Sequence, residues 1–151
     1  MIDAKMPDNL PQWMKDHVDR YMKSGGKDGH MFTTPTQPGL SVPSLLLVTK
    51  GRKTGNKHLF PLFYGETGKS YFLVASKGGA PDHPGWYKNL AANPAVEVQI
   101  ADKTCKAKER TVTGPERAKL WTEMAALFPP YDKYKEKAAG REIPVVVLDP
   151  V

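Results

Sequence analysis

The sequence predicts an α+β domain in which six antiparallel strands form a closed or split barrel with about four helices around it. With 151 residues, the chain has the length of one domain and can bury a single sizeable core. Short strand-like segments follow one another through glycine-rich turns, and connections this short join antiparallel neighbours. Helical periodicity is confined to a few segments between and beside these strands, as expected of helices that surround a barrel.

The first predicted element is an amphipathic helix over residues 10–22. Its apolar residues recur at intervals of three and four, and the Ser-Gly-Gly sequence that starts at Ser24 ends the pattern. A loop rich in glycine, proline and threonine follows over residues 27–43. The sequence therefore divides into an N-terminal helix over 1–26, this connecting loop, and a barrel region over 44–151, all within one structural domain.

Three strands are predicted next, over residues 44–50, 58–65 and 70–76, and we expect them to form an antiparallel meander. Gly51 and Gly55 give the turn between the first two strands the backbone freedom that a tight connection needs. The remaining predicted elements are, in order, a helix from Pro84 to Asn93, a hairpin of strands over 96–100 and 107–113, a helix opened by a capping box at Thr113 and Glu116 and ended by Pro129, a short helix over 132–138, and a last strand over 143–148.

The composition narrows the possible function classes. The apolar stretches over 45–48 and 145–148 are too short to cross a bilayer. The N-terminus lacks the pattern of a signal peptide, so we expect a cytoplasmic protein, with membrane association through the first helix left open. Cys105 is the only cysteine, which excludes an internal disulfide and a cysteine-based metal cluster. The net charge of +6 favours an anionic partner: a nucleic acid, a lipid headgroup or a polyanionic cofactor.

The sequence contains no motif that by itself defines a catalytic site. A Walker P-loop, Gly-x-Gly-x-x-Gly, Gly-x-Ser-x-Gly and His-Glu-x-x-His are all absent. His17, His30, His58 and His83 occur singly, without the spacing of metal ligands, so no metal site is expected. If the protein is an enzyme, a bound cofactor therefore supplies the chemistry.

Three segments carry candidate binding chemistry. Gly51-Arg52-Lys53-Thr54-Gly55 combines glycines that let backbone N–H groups approach an anion with two cations and a hydroxyl. Ser76-Lys77-Gly78-Gly79 offers similar donors at the carboxyl end of a strand. The helix that carries Trp86, Tyr87 and Asn89 can wall a planar ligand, and Asn89 can bind that ligand or cap a neighbouring turn. The plainer alternatives are a solvated turn, a flexible loop and a helix that packs the core.

Taken in order, these segments closely resemble the deazaflavin-dependent nitroreductase family, which has the FMN-binding split-barrel fold. The resemblance runs from about Leu45 to the C-terminus. It rests on the Gly-Arg-Lys-Thr-Gly turn, the Ala-Ser-Lys-Gly-Gly loop and the Trp-Tyr-x-Asn-Leu helix with Asn93 and Pro94 behind it. It implies an F420H2-dependent oxidoreductase that transfers a hydride from the reduced deazaflavin to a small organic acceptor. The phosphate and polyglutamate tail of coenzyme F420 would then be the anion that the basic turn binds.

The resemblance also implies the residues of the site. Those near the anionic tail are Arg52, Lys53 and Thr54. Those under and around the ring are His58, Leu59, Phe60, Pro61, Leu62, Val74, Ala75, Ser76, Lys77, Gly78, Gly79, Gly85, Trp86, Tyr87, Lys88 and Asn89. Those that line the acceptor pocket are Phe63, Phe128, Tyr131 and Tyr134. Tyr131, as a proton donor, and Ser76 are the candidate catalytic residues.

The acceptor and the cofactor have alternatives. This chain carries His58 where family members often have arginine, and Phe63 and Phe128 where they often have tyrosine, so it offers fewer phenols as proton donors. Nitro compounds, quinones and other conjugated molecules are therefore all open as acceptors. The alternative functions are an FMN- or haem-binding split barrel and a lipid- or fatty-acid-binding relative. No nucleic acid is expected as partner, because the cations cluster at glycine turns instead of alternating with exposed aromatics.

The N-terminal helix has three possible uses. Because a long loop joins it to the barrel, we expect it to fold over the acceptor pocket as a lid, with Trp13 in contact with the substrate. Alternatively, Trp13, Val18 and Tyr21 complete the core, or the apolar face makes a peripheral membrane contact. The chain is expected to be a monomer or a homodimer.

Overall fold

The computed structural model describes residues 4–8, 10–138 and 140–151. Residues 1–3, on which part of the expectation about a signal peptide rests, lie outside the described residues. Within these ranges, the four α-helices are α1 (Gln12–Lys23), α2 (Gly85–Ala92), α3 (Gly114–Leu127) and α4 (Pro130–Lys137). The strands are β1 (Met31–Phe32), β2 (Val42–Lys50), β3 (Lys57–Phe63), β4 (Gly65–Thr67), β5 (Ser70–Val74), β6 (Ala95–Ile100), β7 (Lys103–Val112) and β8 (Val145–Pro150).

The strands form one curled sheet in which the pairs are antiparallel. The order runs β3-β2-β6-β7-β8-β5-β4, and β1 adds a short rung to the start of β2. The two edge strands, β3 and β4, are consecutive in the chain, and only Tyr64 separates them. The sheet therefore curls until its edges meet at one residue, which is the split barrel that the sequence predicts, although with eight strands instead of six.

The predicted meander is wrong at its third strand. β3 pairs with β2, but β5 pairs with β4 and β8, as in the rung Tyr71↔Leu148, and no ladder joins β3 to β5 in the described part of the chain. Tyr64 is buried at the break, where its N–H donates to the carbonyl of Pro43. Gly65, the next residue, lies against the Phe72 ring, where a Cβ would clash. The chain therefore turns out of β3 into a new hairpin.

Two local predictions also need correction. The loop predicted over 27–43 contains β1, and β2 begins at Val42 instead of Ser44. The capping box does not form: Thr113 makes no side-chain cap, and the Glu116 carboxylate accepts hydrogen bonds from Arg110 on β7 instead. An ion pair across neighbouring elements is available to Glu116, and it replaces the local contact.

The hydrophobic core lies on both faces of β2. Leu45 and Leu47 point into the barrel and pack with Trp86 of α2. Leu46 and Val48 point the other way and are covered by α1. A third cluster, in which α3 and α4 cover the opposite end of the barrel, includes Leu120, Met124, Phe128 and Tyr131. The helices α1 and α2 thus cover opposite faces of β2. The cleft described below lies between these two helices.

Candidate active-site cleft

Two adjoining cavities form one cleft along β3. The basic cavity, of about 620 Å³, is lined by the β2–β3 turn and the start of α2. The aromatic cavity, of about 260 Å³, is lined by α1, β1, the second half of β3 and Tyr131. Both cavities include Phe60, Lys77, Pro84 and Trp86 in their walls. A ligand longer than either cavity can therefore run from the basic end to the aromatic end past these four residues.

The basic cavity owes its shape to the turn between β2 and β3. Gly51 closes this turn with its N–H on the carbonyl of Asn56, and the His58 ring lies so close to Gly51 that a Cβ there would be 2.9 Å from His58 Nε2. Asn89 of α2 then holds the turn from above, because its Oδ1 accepts from both the backbone N–H and Nη1 of Arg52, at 3.3 and 2.8 Å. Asn89 Nδ2 donates to Thr49. Asn89 thus positions Arg52, and its polar atoms are already engaged.

The lining of the basic cavity fits a polyanion. It includes Arg52, Lys53, Thr54 and Lys77, and it includes no carboxylate among the residues that the structure describes. The Lys77 ammonium reaches a carboxylate outside the cavity, Asp82, at 3.3 Å. Cations gathered at one end of a cleft attract a phosphate or a chain of carboxylates over a range of about 10 Å in moderate salt. The donor set therefore suits an anionic cofactor tail.

The loop that separates the two cavities is held by Arg141. Lys77 has a positive φ of 48°, and Gly78 and Gly79 follow with 63° and 81°. The Arg141 guanidinium donates to three carbonyls of this loop, those of Ala75, Ser76 and Ala80, at 3.2, 2.6 and 2.8 Å. A left-handed lysine persists only where surrounding contacts fix it, and this clamp supplies them. Arg141 is therefore a positioning residue for Ser76 and Lys77.

The aromatic cavity is closed on one side by α1 and β1. The Phe32 ring stacks on His17 with centroids 3.6 Å apart and on Trp13 at 5.9 Å. His17 Nε2 donates to the Gly29 carbonyl at 2.8 Å, and burial lowers the pKa of His17, which favours the neutral ring. These three rings make a flat apolar wall.

Tyr131 forms the opposite side of the aromatic cavity. It is 6% exposed, and burial raises the pKa of its phenol, which keeps the phenol protonated. Phe128 packs edge-on against it at 5.0 Å, and Tyr134 lies at 6.1 Å. The cluster fixes the Tyr131 ring, so its hydroxyl is a neutral hydrogen-bond donor in a defined place.

Comparisons with known proteins decide the family. The family model described as F420H(2)-dependent quinone reductase matches residues 13–150. The chain belongs to this family. The F420H(2)-dependent quinone reductase Rv1261c of Mycobacterium tuberculosis is 37% identical, over 93% of this chain and 97% of the relative. The protein is accordingly an F420H2-dependent oxidoreductase, and coenzyme F420 is its cofactor, as the resemblance implied.

Solved structures agree with this assignment. An F420-H2 dependent reductase, FDR-A, is 41% identical and covers 74% of this chain and all of its own, with a TM-score of 0.66. A structure described as a domain-swapped dimer is 36% identical over 91% of this chain and 97% of its own, with a TM-score of 0.68. The haem storage protein HutZ of Vibrio cholerae, at 18% identity and a TM-score of 0.55, shares the fold alone.

Most of the site residues predicted for the reductase line the cleft. In the basic cavity these are Arg52, Lys53, Thr54, His58, Leu59, Phe60, Lys77, Gly85, Trp86 and Asn89, and the aromatic cavity adds Trp13, Pro61, Leu62, Phe63, Val74, Ser76, Gly78 and Tyr131. Six predicted residues do not line either cavity: Ala75, Gly79, Tyr87, Lys88, Phe128 and Tyr134. Gly79 packs under α4, Lys88 pairs with Asp82, and Phe128 and Tyr134 lie behind Tyr131.

Sequence reasoning missed several cleft residues of the reductase. Met14, His17, Phe32 and Ser44 line the aromatic cavity, and Arg141 clamps the loop beside it. The helical spacing of residues 10–22 already places Met14 and His17 next to Trp13 on one face, so those two had a signal. The other three had none, because their roles depend on which distant strand or loop they meet.

The two ends of α1 lie in different surroundings. Trp13 lines the aromatic cavity near the start of the helix. Tyr21 near its end is fully buried, and its hydroxyl accepts from the Ala101 N–H and donates to the Ser44 carbonyl, at 2.8 and 3.0 Å. The apolar face of α1 is thus occupied by the barrel. None of the helices in the described ranges is long and apolar enough to cross a membrane.

Proposed function

We propose that the reductase binds F420H2 with its anionic tail in the basic cavity and its ring across the shared wall, and reduces a quinone held in the aromatic cavity. The observation that carries this proposal is the junction of the two cavities at Phe60, Lys77, Pro84 and Trp86. A ring at that junction presents one side to the acceptor while its tail reaches Arg52 and the cations beside it. Reacting groups held in this way gain much of the rate that proximity can give.

The deazaflavin supplies the hydride when it is bound. The protein orients the two reactants, excludes water from the cleft and supplies a proton. Hydride addition to a quinone leaves an oxyanion, and one proton on that oxygen completes the hydroquinone. Tyr131 holds a proton at the cavity wall, and Ser76 lines the same cavity. The aromatic wall of Trp13, His17 and Phe32 excludes water from the transfer.

A quinone fits the aromatic cavity better than a bulky nitro compound. The cavity is small and largely apolar, and Phe63 offers it a flat surface without the hydroxyl of a tyrosine. Planar aromatic ligands pack well against such walls, and a few polar groups suffice to orient them. The name of the relative from M. tuberculosis, a quinone reductase, supports the same acceptor class.

The placement of the cofactor is tested by titration. Purified protein is titrated with F420 and with FMN at low and high salt, and the double variant Arg52→Ala/Lys53→Ala is compared with wild type. We expect tighter binding of F420 than of FMN, weaker F420 binding as salt rises, and a dissociation constant raised at least about tenfold in the variant. The matched control is Lys103→Ala/Lys106→Ala, which removes two exposed lysines from β7, outside the cleft.

Two results would contradict the placement. An F420 dissociation constant that is the same in the Arg52/Lys53 variant and in wild type would show that the β2–β3 turn is a solvated turn that does not bind the cofactor. A loss of affinity that is equal in the β7 control would show that net charge, and not the basic cavity, attracts the tail. Steady-state assays with F420H2 and a 1,4-naphthoquinone then test the acceptor.

We also propose that the reductase forms a homodimer. The support is the related structure described as a domain-swapped dimer, which covers nearly the whole chain. Light scattering coupled to size-exclusion chromatography measures the mass directly, and a monomer mass across concentrations would exclude it.

A further inference from the structure

Ser44 carries a hydroxyl that the fold leaves without a partner. It lies on β2, it is fully buried, and its Oγ makes no hydrogen bond within the described part of the chain. It also lines the aromatic cavity. A buried hydroxyl without a partner is costly, and most buried polar atoms in folded proteins are satisfied. A ligand in the aromatic cavity can complete the hydrogen bond of this hydroxyl.

The backbone on either side of this hydroxyl is fixed. The Ser44 N–H donates to the His30 carbonyl at 2.6 Å, and the Ser44 carbonyl accepts from the Tyr21 hydroxyl at 3.0 Å. Across the ladder, Ser44 pairs with Phe63, whose side chain lines the same cavity. The Ser44 side chain therefore stays at the wall, where rotation about Cα–Cβ places Oγ and rotation about Cβ–Oγ aims its hydrogen.

A quinone in the aromatic cavity needs a hydrogen-bond donor on the β2–β3 side to fix its orientation. A 1,4-quinone has two carbonyl oxygens on opposite sides of its ring, and one donor alone does not fix which way the ring lies. Tyr131 offers a donor from the α4 side, and Ser76 and Lys77 offer donors from the loop after β5. On the β2–β3 side, the described lining residues are Ser44, Phe60, Pro61, Leu62 and Phe63, so Ser44 supplies the hydroxyl there. His17, on the α1 side, has committed Nε2 to Gly29, and its neighbours there are aromatic carbon surfaces.

We propose that Ser44 Oγ donates a hydrogen bond to a carbonyl oxygen of the quinone and so sets its orientation in the aromatic cavity. The proposal rests on the proposed function, in which this cavity takes the acceptor. Ser44 is a binding residue in this role. It leaves the hydride and the proton to other groups, so it affects the Michaelis constant for the quinone more than the turnover number.

The test is a cycle of two proteins and two ligands. Because Trp13 and Trp86 line the cavity, quenching of tryptophan fluorescence reports binding without any cofactor. Wild type and Ser44→Ala are titrated with 1,4-naphthoquinone and with naphthalene, which has the same rings and no carbonyls. We expect Ser44→Ala to raise the dissociation constant for naphthoquinone about two- to tenfold and to leave that for naphthalene unchanged or lower.

A matched serine separates binding from folding. Ser70 lies outside the cleft, and its hydroxyl donates to the Asp149 carboxylate. Ser70→Ala is therefore expected to lower the melting temperature without changing the naphthoquinone dissociation constant. Ser44→Ala should show the reverse, with a melting temperature equal to or above that of wild type, because it removes an unsatisfied group.

Three outcomes overturn the proposal, and a fourth bears only on the proposed function. Equal naphthoquinone affinities in wild type and Ser44→Ala, or an equal loss of affinity for naphthalene, would show that the hydroxyl does not bind a carbonyl. If wild type binds naphthoquinone but does not reduce it with F420H2, the proposed function fails, and the affinity ratio still judges Ser44. If wild type does not bind naphthoquinone, both fail.

Discussion

Tyr131 combines two properties that separate it from the other phenols of the reductase. It lines the aromatic cavity, and burial raises the pKa of its hydroxyl, so the phenol is protonated at neutral pH. Tyr71 shares the raised pKa but lies on β5, outside the cleft. Of these two phenols, only that of Tyr131 lies at the cavity that we propose for the acceptor.

Tyr131→Phe should therefore lower the turnover number by about a hundredfold if the phenol is the general acid, with little change in F420 affinity. The ring is kept, so the packing against Phe128 survives. The measurement is steady-state quinone reduction as a function of pH, with Tyr71→Phe as control. Full activity in Tyr131→Phe would return the proton to solvent and leave Tyr131 as a wall of the cavity.

Among single residues, the sequence identified those whose chemistry depends on their neighbours in the chain. It missed those whose role depends on contacts with distant parts of the chain. Arg52 and Lys53 stand in a glycine turn that is basic wherever it folds. Ser44 opens an apolar run and resembles any strand residue, until the register sets it beside the aromatic cavity. Arg141 meets the loop at Ser76 across 65 positions of sequence. No period or spacing could connect these two residues to the site.

Among the elements, α1 joins the cleft to the core, and its two ends have separable roles. Tyr21 is the anchor, because its hydroxyl satisfies the Ala101 N–H and the carbonyl of Ser44. Trp13 is a wall, partly exposed and stacked on Phe32. The end of α1 therefore completes the core, whereas the lid expected at its start stays a prediction.

Single substitutions separate these roles where truncation would mix them. Tyr21→Phe should lower stability by roughly 1–3 kcal/mol, because the buried Ser44 carbonyl and the partly buried Ala101 N–H both lose their partner. Trp13→Ala should keep most of the stability and raise the Michaelis constant for the quinone about tenfold, through lost ring contacts. Thermal melts and steady-state kinetics are run on both. If Trp13→Ala melts as low as Tyr21→Phe with unchanged kinetics, the start of α1 is only structural.

The elements that sequence missed were too short to show a period. β1 has two residues and β4 has three, which is less than one repeat of an alternating pattern can establish. The strand read as 58–65 was in fact β3 plus the start of β4, divided at Tyr64. Tertiary contacts made that division. They also pair β5 with β8 instead of with the preceding predicted strand.

For the whole molecule, two histidines tie stability to pH. Burial lowers the pKa of His17, where Arg20 lowers it further and Asp28 and the Gly29 hydrogen bond oppose this. Burial also lowers the pKa of His83, whose Nδ1 accepts from Arg141 at 2.9 Å. Arg141 and Lys88 lower the pKa of His83 further, while Asp82 opposes them. In both cases the native state favours the neutral ring.

The sign of the effect follows from proton binding. In the unfolded chain, a histidine takes up a proton as pH falls through its ordinary pKa of about 6.5. The native protein does so only at lower pH, so the unfolded state gains protons first, and stability falls as pH decreases. The contribution is fully present above pH 6.5 and is lost as pH falls through the lowered native pKa values. Asp82 and Asp149, whose pKa values are also lowered, stay ionised between pH 7.5 and 5.5. Burial raises the pKa of Glu109, so its protonation opposes the loss of stability as pH falls.

Thermal melts between pH 7.5 and 5.5 should therefore show a falling melting temperature, and the double variant His17→Gln/His83→Gln should flatten the curve. The glutamines keep hydrogen-bonding groups at both places and remove the titration. The single variant His83→Gln also tests whether His83 helps Arg141 to hold the loop at Ser76, since Arg141 contacts both His83 and the carbonyl of Ser76. A melting curve that is flat in wild type, or one that falls equally in the double variant, would show that the acid loss arises elsewhere in the molecule.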